Sequence, residues 1–210
     1  MRTFRLAAVA LTLLAAARGE ATPALTLDEL LHQMATTRGV VAEFREVKEL
    51  ALLELPLETR GTLYFLPPDR LARVTRAPAA TRLVLDGSRM RFEDATGASD
   101  VDLVDNPVAR HFAENLMALW RGDRALLERL YKLDFHAEAA RWELTLAPRS
   151  APLDRFIASI RLRGDAAEMR EMDLLEKDGD RTLTVFERSD VMHVFGEEEQ
   201  RAIFGAPAAP

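Results

Sequence analysis

The residues best suited to chemistry are four histidines, a serine behind a tight turn and a few grouped carboxylates. His32, His111, His136 and His193 lie far apart, and none belongs to a His-Glu-x-x-His or His-x-His arrangement that would set two metal ligands on one face. Ser88 follows Asp86-Gly87 without the Gly-x-Ser-x-Gly elbow that presents a nucleophile, so it reads as a turn hydroxyl. Asp100, Asp102 and Asp105 lack the central glycine and distal glutamate of a calcium loop, and read as a solvated acidic segment. Glu171, Glu176, Asp178 and Asp180 are interleaved with basic residues, as solvent-facing pairs are, and form no catalytic dyad. Cysteine is absent, which removes disulfides, thiolate nucleophiles and cysteine metal sites. Neither a phosphate loop nor a dinucleotide fingerprint occurs. The expectation is a protein that is not an enzyme and uses no metal or cofactor.

The N-terminus sets the expected compartment. Met1 to Arg5 form a short basic head, Leu6 to Ala17 an uncharged apolar run, and Arg18-Gly19-Glu20 a polar break. That is the layout of a signal peptide, and about 12 apolar residues fall short of the roughly 20 needed to span a bilayer. Cleavage after Ala17 or Ala21 would satisfy the small-residue rule, and Ala21 is favoured, which leaves an expected single domain over residues 22–210. Removing three arginines and one glutamate with the leader shifts the formal charge from −6 to about −8. An acidic, cysteine-free chain has no acceptor for a lipid anchor, does not suit nucleic acid, and is expected to be a soluble monomer in the periplasm. Any contact with lipid should use apolar surface rather than attraction to anionic headgroups.

Hydrophobic periodicity then locates the elements. Thr26 caps a short helix carrying Leu27, Leu30, Leu31 and Met34, which stops at Arg38-Gly39. From Val40 the period becomes two, Val41 to Val47 begins a series of strands, and Pro56, Gly61, Pro67-Pro68-Asp69, Pro78 and Asp86-Gly87 separate further strands near 58–66, 70–77, 81–86 and 89–94. The polar stretch 96–105 reads as a loop. Asn106-Pro107 opens a helix whose stripe is Val108, Phe112, Leu116, Leu119 and Trp120. Gly122 interrupts it, and Asp123 caps a second helix with Leu126, Leu127, Leu130 and Tyr131. A second block of strands runs near 133–136, 141–147, 156–163, 167–175 and 182–187, with Asp178-Gly179 as a hairpin turn and a last short helix over 197–204. Ten or so short strands around a central helical pair exclude an alternating parallel sheet. The expected class is α+β, a single large curved antiparallel sheet forming an open half-barrel, with helices covering the concave face.

One region carries a resemblance. Gly61-Thr62-Leu63-Tyr64-Phe65-Leu66-Pro67-Pro68-Asp69-Arg70-Leu71, continuing through Thr75-Arg76-Ala77-Pro78 to Leu83-Val84-Leu85-Asp86-Gly87-Ser88-Arg89-Met90, resembles the signature region of the LolA family of outer-membrane lipoprotein carriers. Phe44 and the strand containing Trp142 fit the same layout. The resemblance implies a half-barrel whose cavity receives the acyl chains of lipoproteins, or of another acyl lipid, taken from an inner-membrane donor transporter and passed to an outer-membrane acceptor. Pro67 stands where family members carry an arginine that latches the lid, and Arg73 where an aromatic often stands, so this chain is a divergent member whose closed state is held differently.

The residues expected to line a lipid-binding cavity are Phe44, Leu63, Phe65, Leu71, Val74, Leu83 and Leu85 from the sheet, with Phe112, Leu116, Leu119 and Trp120 from the helix. Apolar residues at these spacings describe packed core equally well. The alternative to a carrier is a lipid-sensing or protein-interaction module built on the same half-barrel. A hydrolase ranks last for want of a nucleophile or metal.

Overall fold

The computed structural model describes residues 24–105 and 117–205. The first helix, α1 (Leu27–Ala35), begins at a reciprocal capping box, in which the Glu29 amide donates to Thr26 Oγ1 at 3.2 Å and the Thr26 amide donates to Glu29 Oε2 at 2.8 Å. Its Leu30, Leu31 and Met34 are buried. The chain continues through β1 (Val40–Glu49), β2 (Leu57–Leu66), β3 (Arg70–Ala77), β4 (Thr81–Asp86), β5 (Arg89–Asp94) and β6 (Gly97–Asp102). Helix α2 (Arg124–Leu130) leads into β7 (Tyr131–Glu138) and β8 (Arg141–Pro148), and the one-turn α3 (Leu153–Phe156) precedes β9 (Ile157–Asp165), β10 (Glu168–Glu176), β11 (Arg181–Asp190) and α4 (Glu197–Phe204).

All strands belong to one 11-stranded sheet in the order β6-β5-β4-β3-β2-β1-β11-β10-β9-β8-β7. Every neighbouring pair is antiparallel. Two meanders are thus joined where the first strand pairs with the last, and the sheet stays open between β6 and β7. This is the curved antiparallel half-barrel with a few helices. Both Asp-Gly pairs form hairpin turns, with φ at +56° for Gly87 and +96° for Gly179, a region glycine enters without a Cβ clash.

The polar stretch read as a loop contains β6, which pairs with β5 from Arg89↔Asp102 to Asp94↔Gly97. An edge strand exposed on both faces has no need of an apolar alternation, and periodicity therefore misses it. Arg91 ties the two strands together with a 2.8 Å bond to Asp100.

The curvature has a local cause in each meander. In the first, Phe44 is opposite Gly61, where a Cβ would stand 2.6 Å from the Phe44 ring and 2.1 Å from the Val74 carbonyl oxygen. In the second, Trp142 is opposite Gly164, where a Cβ would come within 2.3 Å of the indole and 2.2 Å of the Glu168 carbonyl oxygen. Register shifts accompany both, at Arg60/Gly61 and at Met169/Glu171. A flat aromatic over a bare backbone next to a bulge lets a sheet fold inward.

Three packed clusters result. Against the second meander, α1 and α2 bury Leu30, Leu31, Met34, Leu126 and Leu127 with Tyr131, Trp142, Leu144, Leu146 and Leu162. Against the first, Phe44, Leu63, Phe65, Leu71 and Leu85 gather with Met117, Trp120 and Phe186. The third lies on the outer face, where α4 places Phe204 with Phe195 over Ala72 and Val84. Arg82 donates to the Ala202 carbonyl at 2.9 Å and also to that of Ile203, so the C-terminal carbonyls of α4 face a cation.

Candidate functional site

The concave face of the first meander carries the feature that could bind something. Alternation along β1, β2, β3 and β4 turns Phe44, Leu63, Phe65, Leu71 and Leu85 inward, and Phe65, Leu71 and Leu85 are completely inaccessible to solvent. Trp120 closes over them, its ring 5.3 Å from that of Phe65 at an interplanar angle of 22°.

The segment bearing Trp120 is anchored at both ends. On one side, Arg121 Nε donates to the Pro68 carbonyl in the β2–β3 turn at 3.0 Å. This answers the missing arginine at position 67, because the guanidinium comes from the lid and the acceptor from the turn. On the other, Gly122 has φ at +65° and lies so close to α1 that a Cβ would stand 2.6 Å from the Leu31 carbonyl oxygen. Asp123 then caps α2 by accepting from the Leu126 amide at 2.9 Å, and Arg124 reaches Asp28 on α1 at 2.6 Å.

Where the Trp120 segment meets the sheet, a small open recess is lined by Val40, Ala42, Leu63, Trp120, Met169 and Phe186, together with Ala167, Ser189 and Val191. The side chains leave room for about one water molecule, so the recess is nearly collapsed. Below it the face becomes polar. The Arg73 guanidinium lies 4.4 Å from the Phe44 ring centre and 2.8 Å from Glu46, whose carboxylate also accepts from Thr59 at 3.2 Å and Thr184 at 3.0 Å. Arg73 thus forms a charged pair on the same face, outside the lining of the recess.

Of the residues expected from sequence, Phe44, Leu63, Phe65, Leu71, Leu85 and Trp120 are brought into one cluster. Leu83 shares their face, beside Arg73 in register, and is only partly buried. Leu119 packs in the other cluster, against α1. Val74 is displaced outright: in register with Thr62 and Arg82, it lies on the outer face with Ala72, because one step along a strand reverses the side chain. Phe112 and Leu116 lie outside the described residues. The sequence reading missed Val40, Ala42, Met169, Phe186, Ser189 and Val191. The apolar alternation of Val40, Ala42 and Phe186 was visible, but the pairing of β1 with β11 that sets these strands together spans most of the chain.

Among the groups with perturbed ionisation, Tyr131 and Asp173 lie outside the lining of the recess. Burial pushes the Tyr131 phenol up to about 12, and the hydrogen-bonded Arg181 guanidinium holds the Asp173 carboxyl below its ordinary value. His193 is fixed between Asp190 at 3.3 Å and Glu199 at 3.0 Å, tying β11 to α4. Among the described residues, no three histidine or carboxylate side chains are grouped to hold a metal ion.

No curated protein matches the sequence. Solved structures do resemble it. The complex structure of Pseudomonas aeruginosa MucA/MucB matches at 15% identity over 82% of this chain and 58% of that one, with a TM-score of 0.47, so this chain spans little more than half the length of its counterpart. The LolA superfamily protein NE2245 from Nitrosomonas europaea matches at 7% identity over 83% and 96% of the two chains, with a TM-score of 0.42. A putative outer membrane lipoprotein-sorting protein domain from Vibrio parahaemolyticus matches at 8% identity over 82% and 94%, with a TM-score of 0.42. The family model for outer membrane lipoprotein carrier protein LolA-like chains matches residues 18–194, most of the sequence. This chain belongs to that LolA-like family, as a divergent member.

Proposed function

We propose that this protein is a non-enzymatic periplasmic carrier that takes the acyl chains of lipoproteins, or of a related acyl lipid, into the recess under Trp120 and moves them toward the outer membrane. The observation that supports this reading is the nearly collapsed, mostly apolar recess beneath Trp120, whose segment meets the first meander, among the described residues, through Met117, the stack on Phe65 and the Arg121 hydrogen bond to the β2–β3 turn. Each methylene withdrawn from water contributes roughly 0.8 kcal/mol, so a half-buried chain binds without any polar partner. Release is the harder task. A recess that closes when empty offsets part of the binding free energy, and the cargo can be surrendered to an acceptor with a more open site.

Native mass spectrometry of residues 22–210, purified from the periplasm without detergent, tests this. Recovered acylated peptides support lipoprotein carriage, and another acyl lipid supports carriage of a different cargo. An empty protein that also ignores added acyl probes overturns it and favours a protein-interaction module. The observation on the side of that second reading is the β1–β2 loop, which exposes Leu52 almost fully, Leu55 mostly and Leu53 by half, next to a half-exposed Leu57 at the start of β2.

A further inference from the structure

One polar atom does not belong in the recess. Ser189 lines it, and its Oγ is buried without a hydrogen-bond partner among the described residues. An orphaned buried hydroxyl costs stability that an alanine at the same place would spare.

The backbone goes out of its way to put it there. Against β1, Val41 pairs with Asp190 and Glu43 with Glu187, so β11 holds one residue more than its partner. The bulge centres on Arg188, a non-glycine residue at φ +47°, in the left-handed region that disfavours a side chain. Plain alternation from the inward Phe186 would turn Arg188 inward and Ser189 outward. With the bulge, Arg188 instead reaches Glu43 on the outer face, and Ser189 and Val191 enter the recess. Bulges recur where a side chain must be re-aimed at a functional site.

Resting on the carrier reading above, we infer that Ser189 is the polar contact of the cargo site: its hydroxyl donates a hydrogen bond to the carbonyl oxygen of an ester- or amide-linked acyl chain. Its position suits that role. Ser189 is next to last in β11, at the end of the strand that lines the recess, where the carbonyl between an inserted tail and a solvated head would stand. The other strong side-chain donor of the lining is the Trp120 indole N–H, and the preference for an acyl chain over a plain alkyl chain of equal length is assigned to Ser189 because its hydroxyl is the buried one without a partner among the described residues.

The test compares 1-monopalmitoylglycerol with its ether analogue 1-O-hexadecylglycerol, by titration calorimetry on residues 22–210. The wild type should bind the ester about fivefold more tightly than the ether, and Ser189→Ala should bring the ester down to the ether level while leaving ether affinity and thermal midpoint unchanged or slightly raised. Equal wild-type affinities that Ser189→Ala leaves untouched overturn the role of Ser189 and keep the carrier. A large fall in the melting temperature of Ser189→Ala also overturns it, because the hydroxyl would then have a structural partner. Binding of neither lipid removes the carrier reading itself.

Discussion

The two meanders solve the same bending problem and then diverge. In each, an aromatic ring lies across a glycine of the neighbouring strand, Phe44 over Gly61 and Trp142 over Gly164. The second ring is locked, since the Trp142 indole N–H donates to the Ala166 carbonyl at 2.9 Å and two helices bury its face. The first is covered by a cation that is itself paired, Arg73 with Glu46, and the inward face beyond it meets the lid segment. One half of the sheet is thus covered by two helices, and the other by the segment bearing Met117 and Trp120. The same corner stands beneath a closed core in one place and beside the recess of the proposed carrier site in the other.

The strongest way to break this comparison is at the corners. Gly164→Val sets a branched side chain against a carbonyl oxygen and an indole that cannot move, and should cost about 4 kcal/mol, lowering the thermal midpoint by about 10 °C in circular dichroism. Gly61→Val should cost as much, because its nearest obstacle is also a backbone carbonyl. If only one of them is tolerated, the corners are not equivalent.

Next come the clusters. Leu144→Ala, in the finished core, should cost about 3 kcal/mol in urea unfolding, whereas Trp120→Ala should cost about half that and raise the uptake of an acyl probe. A Trp120→Ala protein as destabilised as Leu144→Ala, with no gain in uptake, would make both halves ordinary core.

Alkali separates them too. Tyr131, only 1% exposed, ionises near pH 10 when unfolded and at about 12 when folded. Its contribution is complete below pH 10 and is lost as pH rises to about 12, a change of about 2–3 kcal/mol. Urea midpoints across this range should fall in the wild type, and that part of the fall should vanish in Tyr131→Phe.

The smallest effect belongs to the lid. Arg121→Ala removes one exposed hydrogen bond, so the melting temperature should move by no more than about 3 °C while acyl-probe uptake in stopped flow quickens severalfold. Unchanged uptake would deny Arg121 the latch.

Most of the fold was legible in the residues, for identifiable reasons. Inward alternation at Val41–Val47 and 141–147, the two Asp-Gly turns and the Thr26 cap are local signals, and each matches an element. Strand β6 was hidden because an edge strand has no buried face to encode. The site was legible only in its first half. Leu63 and Trp120, which line the recess, declared themselves by period, whereas Phe65 and Leu71 pack as buried core beside it and Val74 lies on the outer face, one residue off. Ser189 gave no signal, since it becomes inward only through a bulge that exists relative to a partner strand more than a hundred residues away.

Local chemistry in the sequence therefore determined the strands, their turns, the capped helix, the lack of cysteine chemistry and the family resemblance. Tertiary structure decided the rest. Which strands adjoin, where α4 lies, that Arg121 rather than residue 67 ties down the lid, and that Ser189 faces the recess all depend on pairing between distant segments. Register and face are properties of two strands at once, and no single strand contains them.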